Sequence, residues 1–156
     1  MKWTTFINRQ GKRFDKFVEK RETAKNKHEY IIADVNGELW FGNQCALSRV
    51  ICEEFNESIC GNFSFLNTML YDFKRNMQEY TPATVTEGSI EGKKALKLTT
   101  PYGYAIINPK LLPEMPSGAV YMVYNDKPER TPVWVICNDV VIGLICPIIK
   151  AKFVEG

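Results

Sequence analysis

Six side chains in this sequence could act as soft ligands or nucleophiles: Cys45, Cys52, Cys60, Cys137, Cys146 and the single histidine, His28. A thiolate attacks carbon when a neighbouring base activates it, and four clustered N or S ligands hold zinc. Neither chemistry finds its spacing here. There is no Cys-x-x-Cys pair, and His28 stands between Lys27 and Glu29, where solvent exposure is the simpler expectation. An odd number of cysteines without motif spacing is read as buried, reduced thiols in a reducing compartment. Glu53 and Glu54 are adjacent, and neighbours on a helix point apart, so they form no acid-base dyad. Asp34, Asp72, Asp126 and Asp139 are scattered, and their spacing specifies no Mg²⁺ site. Neither GxGxxG nor GxxxxGK[ST] occurs. No catalytic residue, metal or cofactor is therefore expected, and a binding role is favoured over an enzymatic one.

Charge gives a more specific signal. Residues 1–28 hold nine Lys or Arg against three acids, a local charge of +6, while the remainder carries −4. Between Gln10 and Lys25, Phe14, Phe17 and Val18 fall at helical spacing, and Lys12, Lys16 and Lys20 recur every four residues on another face. An amphipathic helix with a basic stripe is expected, with Arg9, Arg13 and Arg21 alongside the lysines. Such a stripe suits phosphate backbones or an acidic protein surface. The plainer alternative is a solvated face that keeps the protein soluble, with Asp15, Glu19 and Glu22 offsetting the lysines locally.

The elements that would position these residues follow from period and punctuation. Asn36-Gly37, between Tyr30–Val35 and Glu38–Phe41, is the strongest hairpin signal. Leu47, Val50, Ile51 and Phe55 form one helical stripe, and Phe65, Leu66, Met69, Leu70, Phe73 and Met77 form a second, with Asn62 or Ser64 as N-cap and Thr81-Pro82 as its end. Strands are expected at 83–87, 95–100, 104–107 and 119–124, with a brief helix at 110–115. The predicted order is β, α, β, β, α, α, β, β, β, short α, β, β, β. This is an α+β fold, mostly antiparallel sheet, with an N-terminal amphipathic helix and two central helices.

The final hairpin runs from Thr131 to Phe153 around Asn138-Asp139. A two-residue loop pairs Cys137 with Val140, sets Trp134 opposite Gly143 and Cys146 opposite Thr131, and so excludes a bridge between Cys137 and Cys146. Val133, Val135, Val140, Ile142 and Leu144 are expected on one face, and Trp134, Ile136, Val141 and Ile145 on the other. Both faces are apolar. Either other elements cover both, or the Trp134, Ile136, Val141 and Ile145 face is an interface with another subunit or protein.

The chain has 156 residues, 45% hydrophobic and 24% charged, which fits one globular domain over 1–156. No uninterrupted apolar run is long enough to cross a bilayer, and the first residues lack the apolar core of a secretion signal, so a cytoplasmic location without membrane association is expected.

One resemblance sharpens the partner. Ala105-Ile106-Ile107-Asn108-Pro109-Lys110-Leu111-Leu112, a following strand, Thr131-Pro132-Val133-Trp134, and Ile142-Gly143-Leu144-Ile145-Cys146-Pro147-Ile148 together resemble the last domain of bacterial DNA sliding clamps. There an N-x-K-x-L segment precedes a Pro-hydrophobic strand and a closing Met-Pro-hydrophobic strand, with Cys146 here in place of the methionine. The resemblance implies that Lys12, Lys16 and Lys20 face phosphates, and that a ring would need several copies of so short a chain. Two readings stand: a clamp-like binding module contacting nucleic acid or a nucleic-acid-processing protein, and a protein-interaction or inhibitor domain of a phage or mobile element acting through an apolar sheet face.

Overall fold

The hydrophobic stripe of the N-terminal segment starts earlier than Phe14, and so does its helix. Trp3, Phe6, Ile7, Gln10, Phe14, Phe17 and Val18 keep one face of α1 (Trp3–Thr23) turned inward. The strand expected before this helix does not exist, because Trp3, Phe6 and Ile7 continue its stripe. The computed structural model describes every residue of the chain except Glu53 and Asn62.

Seven strands form one antiparallel sheet: β1 (Ile31–Val35), β2 (Glu38–Gly42), β3 (Ala46–Val50), β4 (Tyr80–Pro82), β8 (Val120–Tyr124), β9 (Val133–Cys137) and β10 (Val140–Ile145), in the order β1-β2-β3-β10-β9-β8-β4. Between β4 and β8 the chain leaves this sheet to build a second. There β5 (Thr84–Ile90), β6 (Lys93–Thr100) and β7 (Gly103–Ile107) form a meander, and β11 (Val154–Glu155) adds to its β5 edge. Among the described residues the one long helix after β3 is α2 (Ser64–Arg75). With two helices and two antiparallel sheets the fold is α+β.

Three tight turns set the hairpin registers. Asn36-Gly37, Glu91-Gly92 and Asn138-Asp139 all have positive φ at both positions, the signature of type I′ turns, whose twist matches that of paired strands. The Asn36-Gly37 hairpin pairs Val35 with Glu38, and the last hairpin pairs Cys137 with Val140, both as expected.

Two local expectations are corrected. The segment read as the first central helix is instead β3, the strand joining the β1-β2 hairpin to β10. Both faces of β3 are covered, so its residues show no polar alternation, and Leu47 with Val50 imitates a helical stripe. The second correction is in the last hairpin. A bulge at Ile142-Gly143 shifts the register, so that Trp134 faces Leu144 and Gly143 faces Val135. Leu144 thereby joins Trp134 and Val141 on one face of the sheet, and Ile145 joins Val133, Val135 and Ile142 on the other.

Both faces of the large sheet are covered from within the chain. On one side α2 lays Leu66, Leu70 and Phe73 over Ala33, Val35, Trp40, Leu47, Trp134 and Leu144. Phe73 stacks on Trp134 with ring centroids 5.0 Å apart. On the other side α1 covers Ile32, Leu39, Phe41 and Val50, and beside it the second sheet sets Leu96, Leu98, Ala105 and Ile107 against Val133, Val135, Ile142 and Ile145. Helix α2 starts at Ser64 itself, with Phe63 at the cap position, and Asn62 lies outside the described residues. It ends at Arg75, and Tyr80–Pro82 is strand, not helix terminus.

Candidate nucleic-acid interface

Helix α1 carries the six basic residues singled out by the sequence, and the structure divides them by chemistry. The three arginines are engaged within the chain. Arg9 forms an ion pair with Glu114 at 2.8 Å. Arg13 is half-buried, donates to the Gln10 side chain and lies over the Phe41 ring at 5.8 Å. Burial pushes its guanidinium down from the ordinary value, with Glu114 partly opposing, though an arginine stays charged at neutral pH. Arg21 donates from Nε to the Tyr30 carbonyl at 3.2 Å, tying the end of the helix to the entry of β1.

Lys12, Lys16 and Lys20 are all exposed, and among the described residues none is in an ion pair. Successive lysines rise by about 6 Å along the axis, because each residue adds ~1.5 Å. Lys2, also exposed, stands at the cap position before the helix, next to Met1, whose carbonyl accepts from the Ser117 amide at 2.7 Å. The other flank is acidic: Asp15 and Glu19 border an open groove of about 620 Å³ that also holds Glu54 and is floored by Phe14, Leu39, Val50 and Phe55. The outer surface of α1 is therefore split lengthwise into a basic and an acidic flank. The apolar face beneath holds the helix rigid: Phe14 and Phe17 meet Phe41 edge to face at 5.5 and 5.1 Å, and the buried Gln10 donates to the Arg49 carbonyl.

The hairpin residues expected at an interface are placed differently. Trp134, Val141 and Ile145 are buried at 2%, 8% and 0% exposure, and Ile136 is half-buried beside them. The bulge puts Ile145 on the face opposite to Trp134, so the four residues do not share a surface. Packing by α2 on one face and the second sheet on the other covers the apolar hairpin from within the chain.

Among the described residues no group of three or more His, Cys, Asp or Glu is placed to hold a metal ion. Asp34 instead accepts the Gly37 amide at 2.8 Å, bracing the first turn. Glu53, and with it the Glu53-Glu54 pair, lies outside the described residues. His28 is exposed, in a short turn at Lys27–Glu29. Not all the cysteines are buried: Cys45 and Cys52 are exposed. Among the described residues no helix is long and apolar enough to cross a membrane. No protein-family model, curated protein or solved structure matches the chain.

Proposed function

We propose that this protein is a non-enzymatic binding module that holds nucleic acid by its phosphate backbone, through the Lys12, Lys16 and Lys20 row of α1. The observation that carries this reading is the division of labour on the helix. The arginines serve the fold, whereas three lysines at regular spacing stand free on a rigid, well-packed element. Ammonium groups are point charges suited to phosphates, and phosphate contacts carry no sequence information, so binding through the row would be independent of sequence. The clamp-like order of the C-terminal segment supports the same reading, since in those domains helices face DNA. An acidic protein surface is the competing partner for the same row.

The test is equilibrium binding of a fluorescent DNA duplex of arbitrary sequence to the wild-type protein and to the Lys12→Glu/Lys16→Glu/Lys20→Glu variant, with folding checked by circular dichroism. Binding by the wild type and loss of binding by a folded variant are expected. Equal binding by both would refute the assignment of the row. A wild type that ignores DNA but is captured by an acidic protein would transfer the site to the competing partner.

A further inference from the structure

We propose that Cys45 and Cys146 form a reversible intramolecular disulfide, a thiol-oxidation site at the end of the β3-β10 ladder. The register runs Gly143 to Ser48, Leu144 to Leu47 and Ile145 to Ala46, and Cys146 and Cys45 are the next residues beyond that end of the ladder. The Cys146 amide donates to the Cys45 carbonyl at 2.8 Å, while the Cys45 amide turns back to Asn43 Oδ1 at 2.8 Å, so one backbone bond joins the two residues just past the ladder. Facing residues of an antiparallel pair have Cα atoms about 4.5 to 5.5 Å apart, inside the ~4.4–6.8 Å window that a disulfide spans. Opposed residues also project to the same face. Accordingly both cysteines line one apolar cavity of about 170 Å³, together with Leu47, Leu144, Phe65 and Met69.

Access and order of reaction follow from the surroundings. Cys45 is exposed and also borders an open hollow with Tyr30, Asn43 and Gln44. Cys146 is half-buried, with its Sγ donating to the Gln44 carbonyl at 3.5 Å. Burial, and then the neighbouring Cys45, push the Cys146 thiol up, which marks it as the second to react. With a low-molecular-weight disulfide such as oxidised glutathione, the Cys45 thiolate attacks one sulfur and expels one glutathione as thiol. The Cys146 thiolate then attacks Cys45 Sγ in the mixed disulfide and expels the second. One protein S–S bond forms, the glutathione S–S bond breaks, and the two thiol protons end on the two glutathiones. Cys137 is excluded from this exchange by burial, its Sγ facing the Ser117 carbonyl at 3.6 Å.

The experiment is incubation of the folded protein with oxidised glutathione, followed by alkylation and intact and peptide mass spectrometry. The expected product has lost two hydrogen atoms, yields a peptide joining residues 45 and 146, and reverts with dithiothreitol. Cys146→Ser should instead accumulate a glutathione adduct on Cys45, Cys45→Ser should lose the cross-link, and Cys52→Ser and Cys60→Ser should behave as wild type. A stable glutathione adduct on the wild type, a cross-link through another pair, or no reaction would each overturn the proposal.

Discussion

Trp40 and Trp134 meet edge to face at 6.5 Å in the core beneath α2. Burial pushes the Tyr80 phenol up from its ordinary value, with the neighbouring Trp134 partly opposing. The buried Trp40 N–H has no partner among the described residues, so Trp40→Phe removes a donor without stranding another group. The basic residues of α1 give a contrast at this scale. Arg13→Ala removes a guanidinium packed on Phe41 and bonded to Gln10, and should cost about 1 kcal/mol. Lys16→Ala, at an exposed position, should stay within about 0.5 kcal/mol of wild type. Equal effects of the two substitutions would remove the distinction between structural arginines and free lysines.

At the scale of elements, the turns and α1 were largely legible in the sequence, because each depends on its own residues. Asn36-Gly37 and Asn138-Asp139 form the hairpins their chemistry specifies, but Asp139 occupies a left-handed position at φ 60 that glycine fits better. Asp139→Gly should raise stability by about 0.5 to 1 kcal/mol. Gly11 lies inside α1 with nothing within 4 Å of where a Cβ would sit, so Gly11→Ala should stabilise by about 1 kcal/mol through helix propensity alone. At Gly42 the opposite holds: its φ of 149 and the Ala46 carbonyl leave no room for a side chain, and Gly42→Ala should cost about 3 kcal/mol. Thermal or urea denaturation measures all three. What depended on distant residues was not legible. Leu47 and Val50 satisfy a helical period, and only pairing with β2 and β10 makes their segment a strand. The bulge at Ile142-Gly143 left no mark that a two-residue turn could transmit. The Cys45-Cys146 juxtaposition was hidden for the same reason, since a helix through residue 47 offers Cys146 no strand to face.

For the whole molecule, the covered faces of the large sheet set an expectation about association. With Trp134, Val141 and Ile145 inside the core, these three side chains are not available to a second copy. Sedimentation should find a species of 17.9 kDa at micromolar concentration, and a stable dimer would call for a contact surface elsewhere. The basic row, in contrast, was readable from spacing alone, although which of its residues remain free required the fold. Its proposed role has a quantitative consequence, because neutralising phosphates releases counterions in proportion to the number of contacts. Three lysine contacts to duplex DNA correspond to a slope of about −2.7 in log affinity against log salt. The most direct measurement is that slope, obtained by titrating labelled duplex DNA between low and physiological salt with the wild-type protein and with Lys12, Lys16 and Lys20 replaced one at a time. The account predicts a slope near the three-contact value that falls by roughly one unit with each replacement. Affinity that does not respond to salt, or a slope unchanged by the replacements, would contradict it.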